Sequence, residues 1–142
     1  MPTRTSNAEW QGTLKEGRGH MRFGGGAYDG AFTWASRFSD GGGTNPEELI
    51  AAAHAGCFSM ALSGDLTKAG FPPKDIRTEA VLHLDTVDGK PTIALIELIV
   101  GAEVPGIDDA AFQKIAAGTV EGCPVSRALK AVKITVDATL KT

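Results

Sequence analysis

The sequence predicts an α+β fold, on three observations. Short strand-like stretches broken by glycine fill the first third of its 142 residues. A long apolar helix follows, and further strands and helices then share the rest of the chain. Strands and helices grouped in this way indicate an α+β fold and not a series of βαβ units. Because this length fits one domain, we expect a single domain over residues 1–142.

Two strands are predicted before the long helix. Residues 9–14 alternate loosely between apolar and polar side chains, and residues 32–38 do so with a period of two. Such alternation is typical of a strand with one buried face. Three glycines at 41–43 end this block.

The long helix is predicted from its start signals and its composition. Asn45 is a good N-cap, Pro46 suits the first helical position, and Glu48 can complete a capping box. Residues 49–62 are apolar nearly all round, so we expect the helix to be buried. Gly70 and the two prolines that follow it end the helix. Because a chain of this size rarely surrounds such a helix alone, we expect a two-fold homodimer.

The second half of the chain predicts three strands and two helices. The stretches 76–86 and 92–104 form two strands, joined by an Asp88-Gly89 pair that is a hairpin signal. The remaining elements are two helices and a closing strand, over residues 108–120, 124–130 and 132–138.

Charge and hydropathy narrow the class of protein. The net charge is −3, and the acidic and basic residues are spread along the chain, which argues against a nucleic-acid partner. No window approaches the ~18 apolar residues of a membrane span. Residues 1–7 lack the apolar core of a secretory signal. We therefore expect a cytoplasmic protein without a membrane partner, in which thiols stay reduced and a disulfide is transient.

The chain has two cysteines, and each is tied to a helix. Cys57 is either a small buried hydrophobe or a nucleophilic thiol that needs an electropositive neighbour. Cys123 precedes Pro124, so it either occupies a helix N-cap, where free N–H groups favour a thiolate, or merely fits a turn. If the two thiols can meet, they can form a reversible disulfide.

A nucleophilic Cys57 then requires a cation that stabilises its thiolate, and a carboxylate that orients this cation. Arg37 lies just before the glycine loop and Arg18 is its competitor, although each can equally be a solvated surface residue. Glu47 is the carboxylate that would orient the arginine, unless it only compensates the helix dipole. Glu47 and Cys57 are ten residues apart on one helix, which is roughly 15 Å. A shared site would therefore take Glu47 from the antiparallel helix of a partner subunit.

The histidines suggest little chemistry of their own. His54 lies three residues before Cys57, which is compatible with a Cys/His hydrolase, but no oxyanion-hole motif accompanies it. The three histidines have no ligand-like spacing, and we expect neither a metal nor a cofactor.

Several motifs together resemble the OsmC/Ohr family, named for osmotically inducible protein C and organic hydroperoxide resistance protein. The residues that carry the resemblance are 44–49 (TNPEEL), 55–58 (AGCF) and 122–126 (GCPVS). The two cysteine motifs, about 66 residues apart, are highly specific, and the resemblance covers the whole chain. Residues 36–38 (SRF) and 105–107 (PGI) favour the OsmC branch.

The resemblance implies an intertwined homodimer with antiparallel sheets wrapped around long central helices. It also implies a thiol peroxidase of stress defence that acts on organic hydroperoxides, and less well on hydrogen peroxide, with a dithiol reductant such as a lipoyl group. Cys57 matches the peroxidatic cysteine, Cys123 the resolving cysteine and Glu47 the catalytic glutamate. The catalytic arginine matches Arg37 in the OsmC branch and Arg18 in the Ohr branch, and we prefer Arg37.

The implied reaction passes through a Cys57 sulfenic acid and a Cys57–Cys123 disulfide. The helix-cap argument differs from the family on one point, because it makes Cys123 the thiol with the lower pKa. A rival hypothesis is a ligand-binding or structural dimer without enzymatic activity, whose cysteines are buried or permanently paired.

Overall fold

The structure, a computed structural model, describes residues 1–141. It divides into two units, Met1–Leu49 and Ile50–Thr142. The single domain over residues 1–142 therefore stays a prediction, and each unit is described by itself.

The first unit contains a three-stranded antiparallel sheet. Its strands are β1 (Ser6–Gln11), β2 (Arg18–Phe23) and β3 (Asp29–Phe32), in the order β1-β2-β3. Strand β1 is exposed along its whole length. It begins three residues earlier than the strand predicted over residues 9–14.

A short helix replaces the second predicted strand. Strand β3 ends at Phe32, and helix α1 (Trp34–Phe38) follows, so the prediction of a strand over residues 32–38 was wrong. Thr33 caps this helix: its Oγ1 accepts from the N–H of Ser36 (3.1 Å), and Ser36 Oγ accepts from the N–H of Thr33 (2.8 Å). This capping box satisfies the first turn and outweighs the period-two pattern.

The long helix α2 (Pro46–Lys68) begins and ends where the sequence predicts. The N–H of Glu48 donates to Asn45 Oδ1 (2.7 Å), which confirms the N-cap. The Glu48 carboxylate accepts from the side-chain amide of Asn45 (3.3 Å) and not from its backbone N–H, so the reciprocal half of the predicted capping box is not formed. Gly70 has φ +94°, the left-handed conformation that ends a helix.

Helix α2 is buried along one stripe only. Residues spaced by four along it form this stripe: His54, Phe58, Leu62 and Leu66. On another face Met60 is 81% exposed. The prediction that the helix is buried is therefore confirmed for one side of the helix only, within a single chain.

Helix α2 also corrects the expectation about membrane spans. Its 18-residue window has a mean hydropathy of 1.3, so by length and composition it could cross a membrane. The core helix of a soluble protein passes the same test. Within one chain, 22% of that window is buried, and Phe58, Leu62 and Leu66 lie in the core of the second unit.

The second unit is organised around a long hairpin. Strand β4 (Asp75–Val87) pairs antiparallel with β5 (Lys90–Glu103). The turn between them has Asp88 at φ 51° and Gly89 at φ +75°. A two-residue hairpin turn of type I′ requires positive φ angles at both central residues. The predicted turn at Asp88-Gly89 is therefore confirmed.

The last strand departs from the predicted antiparallel arrangement. Strand β6 (Lys133–Leu140) lies beside β5 and is parallel to it, so the prediction of antiparallel sheets was wrong for this pair. Two helices separate β5 from β6: α3 (Asp109–Gly122) and α4 (Pro124–Ala128). Parallel neighbours cannot be joined by a hairpin and need such a crossover connection.

The core of the second unit is built by α2, β5 and α3. Its most buried apolar side chains are Phe58, Leu62, Leu66, Ile96, Leu98, Val100, Phe112 and Ala116, together with Cys123. One of the two cysteines therefore lies in a packed apolar interior.

Candidate active site

The two cysteine sulfurs lie next to each other in the second unit. The Sγ atoms of Cys57 and Cys123 are 3.1 Å apart, although 66 residues separate them in the chain. Both are free thiols. The structure thus brings together the two predicted cysteines.

Cys123 is held at the junction of two helices. It is both the C-cap of α3 and the N-cap of α4, with an extended backbone. Its N–H donates to the carbonyl of Thr119 (2.9 Å), and its own carbonyl accepts from the N–H of Arg127 (2.9 Å). Pro124 occupies the first helical position of α4, as predicted, because it needs no hydrogen-bond partner there.

The two thiols differ in access. Cys123 is 0% exposed, whereas Cys57 is partly exposed. Within one chain, Cys57 is therefore the more exposed of the two cysteines.

The two thiols also differ in acidity. Burial raises the pKa of Cys57, and the neighbouring Cys123 thiol raises it further, against a backbone N–H of Val125 that lowers it. Burial is the largest influence on the pKa of Cys123 and acts to raise it, but the N–H groups of Ser126 and Val125, the Cys57 thiol and the Ser126 hydroxyl together outweigh it. The pKa of Cys123 is consequently lowered, in agreement with the helix-cap argument.

An ion pair forms in the first unit between the end of α1 and the start of α2. Arg37 donates from Nε (2.9 Å) and Nη2 (2.7 Å) to Oε1 of Glu47. The carboxylate of Glu47 is nearly buried, whereas 40% of the Arg37 side chain is exposed. A buried carboxylate that fixes a half-exposed guanidinium leaves the free edge of that guanidinium available to another group.

The competing arginine has no such partner. Arg18 is the first residue of β2, opposite Gln11 of β1. Within residues 1–141 it forms no ion pair. Of the two candidate arginines, Arg37 is the one in contact with Glu47.

The first unit has a small apolar cavity beside this arginine. Its volume is about 230 Å³. The side chains that line it are mostly aromatic and include Trp10, Leu14, Phe32, Trp34, Arg37 and Phe38. One charged group in an apolar wall is typical of a site for a small organic molecule.

A second polar pair lies in the interior of the second unit. His54 is fully buried, and its Nε2 is 2.7 Å from Oγ of Ser126. Burial lowers the pKa of His54, so the ring is neutral at pH 7. Its hydrogen bond goes to Ser126 and not to Cys57, which does not favour the Cys/His hydrolase alternative.

Residues 39–137 match the OsmC family, described as OsmC-like protein. The chain belongs to the OsmC family. The resemblance to the OsmC/Ohr family that the sequence motifs predict is thereby confirmed.

Named relatives extend the match over nearly the whole of this OsmC-family chain. Peroxiredoxin OsmC of Escherichia coli is 47% identical over 135 residues, 94% of each protein. An organic hydroperoxide resistance protein of Xanthomonas axonopodis pv. citri is 31% identical over 101 residues, 70% of this chain and 67% of that protein. The crystal structure of the organic hydroperoxide resistance protein OhrB of Bacillus subtilis superimposes with a TM-score of 0.66 at 25% identity, covering 96% of this chain and 98% of that one. The OsmC-like α+β fold is confirmed.

The part of this OsmC-family chain that the structure describes holds no group of three or more His, Cys, Asp or Glu side chains arranged for a metal ion. The His54–Ser126 contact was missed by sequence reasoning. The available signal was positional, because His54 lies three residues before one cysteine and Ser126 three residues after the other.

Proposed function

We propose that this protein is a thiol-dependent peroxidase that reduces organic hydroperoxides, and hydrogen peroxide less well, through Cys57 and Cys123. Relatives in its family are named peroxiredoxin and organic hydroperoxide resistance protein, which makes the chain a peroxide-detoxifying enzyme of stress defence. The single observation that carries the proposed mechanism is the 3.1 Å approach of an accessible thiol to a buried one.

In the first step, the partly exposed thiol of Cys57 reacts with the peroxide. The Cys57 thiolate attacks the terminal oxygen of ROOH, the O–O bond breaks, and the alkoxide leaves as ROH after taking up a proton. Cys57 becomes a sulfenic acid. Because burial raises the pKa of Cys57, this step needs a cation to stabilise the thiolate, and Arg37 is the residue we assign.

The second step uses the buried thiol. The Cys123 thiolate attacks the sulfenic sulfur of Cys57, the S–O bond breaks, and the hydroxide becomes water. A disulfide bond is about 2.05 Å long, so two sulfurs 3.1 Å apart need to close by only about 1 Å. An external dithiol, for example a lipoyl group, then restores both thiols by exchange.

The arginine and the glutamate would come from a second copy of the chain. Glu47 and Cys57 are ten residues apart on the continuous helix α2, roughly 15 Å along its axis. Arg37 contacts Glu47 within one chain, so the two residues would serve the partner's Cys57 together. The exposed Met60 on α2 supports a homodimer in which the helices of two copies cover each other.

The cavity beside Arg37 supports an organic substrate. Its aromatic walls suit an alkyl or aryl group, which hydrogen peroxide lacks. The chemistry needs no metal or cofactor, and we place it in the cytoplasm, where dithiol reductants are available.

The experiment is a titration of the reduced protein with cumene hydroperoxide. We expect two thiols lost and one alcohol formed per chain, with turnover once a dithiol is added. Cys57→Ser should abolish turnover, whereas Cys123→Ser should spare the first oxidation and leave a sulfenic acid that dimedone traps. Full activity of Cys57→Ser would overturn the assignment of roles. Unchanged thiols in the wild-type protein would favour the rival ligand-binding dimer.

A further inference from the structure

The turn between β1 and β2 places a lysine at the edge of the aromatic cavity. Leu14 and Trp34 both line this cavity, and Lys15 follows Leu14 directly. The Nζ atom of Lys15 lies 5.5 Å from the centre of the Trp34 ring. A cation within about 6 Å of an indole ring is attracted by the π face of that ring. The ammonium of Lys15 is therefore held beside a side chain that forms part of the cavity wall.

Hydrogen bonds within the turn give Lys15 a defined place. The N–H of Gly17 donates to the carbonyl of Thr13 (2.8 Å), and the N–H of Glu16 donates to Oγ1 of Thr13 (3.2 Å). The first bond closes the backbone around Lys15, and the second uses a side chain of the turn itself. The position of the lysine beside the cavity thus follows from the local structure of residues 12–17.

The charge of Lys15 has no partner in the described chain. Within residues 1–141, Lys15 forms no ion pair, although Glu16 is its neighbour in the turn. The side chain is exposed to solvent. An unpaired ammonium at the edge of an apolar cavity is a suitable contact for a negatively charged group of a ligand.

A second cation lies on the other side of the same aromatic pair. The ring centroids of Trp34 and Phe38 are 5.7 Å apart, and Cζ of Arg37 lies 5.3 Å from the centre of the Phe38 ring. Lys15 is thus next to one ring of the pair and Arg37 is next to the other. An organic molecule lying against both rings has a cation within reach at each end.

We propose that Lys15 is a specificity-determining residue, one that favours hydroperoxides with a carboxylate at the end remote from the peroxide group. The inference rests on the proposed peroxidase function, in which Arg37 serves the reacting end of the substrate. The apolar body of the substrate lies against Trp34 and Phe38, and its carboxylate contacts the ammonium of Lys15. Because Lys15 is exposed, the carboxylate keeps much of its hydration and costs little to bind there.

The tryptophans allow a test without peroxide. The chain has two tryptophans, Trp10 and Trp34, and both line this cavity, so intrinsic fluorescence reports its occupancy. The probes are para-isopropylbenzoate and its neutral methyl ester, which resemble cumene hydroperoxide but lack the peroxide group. We expect Lys15→Gln to weaken binding of the benzoate by about threefold to fivefold, the effect of one exposed ion pair, and to leave binding of the ester unchanged. Added salt should reduce the difference between wild type and variant.

Steady-state kinetics test the same charge on a substrate. With para-carboxycumene hydroperoxide, Lys15→Gln should raise KM by a similar factor and leave kcat unchanged, because the lysine does not contact the reacting oxygens. With cumene hydroperoxide, neither constant should change. Lys15→Arg keeps the positive charge and should keep the preference for the carboxylated substrate, whereas Lys15→Glu should reverse it. Lys90→Gln, which removes an exposed lysine at the start of β5, is the matched control.

The outcomes separate this inference from the proposed function. If Lys15→Gln bound the benzoate as tightly as the wild type, or if the wild type bound neither probe, the inference would be overturned while the peroxidase stood. A preference that Arg37→Met lost and Lys15→Gln kept would place the carboxylate at Arg37 and overturn it as well. If the wild type consumed neither hydroperoxide, the proposed function would fail, and the fluorescence titration would still decide whether Lys15 selects a carboxylate.

Discussion

Ser36 Oγ donates to the carbonyl oxygen of Thr44 over 2.7 Å, joining the two ends of the loop between α1 and α2. Both residues are buried. The side-chain amide of Asn45 adds a second link, to the carbonyl of Ser36 (3.0 Å). Arg37 follows Ser36 directly and Glu47 lies three residues after Thr44, so these links set the spacing of the ion pair.

Replacing Ser36 tests this arrangement. In Ser36→Ala we expect the unfolding free energy to fall by about 1–3 kcal/mol, because a buried carbonyl loses its donor. We also expect slower oxidation of Cys57, since the spacing of Arg37 and Glu47 is no longer fixed. Urea unfolding and stopped-flow oxidation measure the two effects. Ser39→Ala, which removes an exposed hydroxyl, should change neither. Wild-type oxidation in a destabilised Ser36→Ala protein would show that the links serve only stability.

Arg37→Lys keeps the charge but loses the forked contact with Glu47. Lysine cannot reproduce the two parallel N–H donors of a guanidinium. We expect the rate of Cys57 oxidation to fall by about tenfold or more, and disulfide closure to change little. Arg18→Lys is the control and should keep the wild-type rate. The opposite result, with loss only in Arg18→Lys, would transfer the activating role to Arg18.

The two thiols should ionise in a fixed order, with Cys123 losing its proton at a lower pH than Cys57. In Cys57→Ser, which keeps a hydroxyl beside the sulfur, the N–H groups of Ser126 and Val125 and the Ser126 hydroxyl still act to lower the pKa of Cys123 against burial. In Cys123→Ala with Arg37→Met, burial raises the pKa of Cys57 and no guanidinium offsets that effect. Thiolate absorbance as a function of pH measures both. The reverse order would contradict the assignment of acidity to Cys123.

A charge on the open face of α2 should separate the two chains of the proposed homodimer. Met60 is 81% exposed within one chain, and a lysine at this position would be costly to bury against a second helix. We expect Met60→Lys to be monomeric by sedimentation and to lose most of its peroxidase activity. Val87→Lys, at an exposed apolar residue near the hairpin turn, is the control. A fully active Met60→Lys monomer would place the whole site within one chain.

Local chemistry explains which elements the sequence predicts well. The cap at Asn45, the end of α2 at Gly70 and the Asp88-Gly89 turn each depend on a few adjacent residues, and each is found as predicted. Residues 32–38 fit both a strand pattern and a capping box, and nothing within the segment decides between them. The parallel pairing of β6 with β5 depends on strands far apart in the chain, so periodicity alone could not reveal it.

The same distinction applies to the site. The two cysteine motifs are local, and they led directly to a pair of sulfurs in contact. The proposed preference for Arg37 over Arg18 rests on the contact of Arg37 with Glu47, which becomes visible only in the folded first unit. The hydrogen bond between His54 and Ser126 joins positions 72 residues apart, and no sequence pattern around either residue identifies the other as its partner.

The crossover between β5 and β6 has a consequence for biosynthesis. It carries Cys123 at the junction of its two helices. Cys57 leaves the ribosome 66 residues earlier than Cys123. In the proposed mechanism, a nascent chain therefore presents Cys57 before it has the thiol that would resolve a sulfenic acid. An oxidant that reached Cys57 at that stage would find no internal partner thiol.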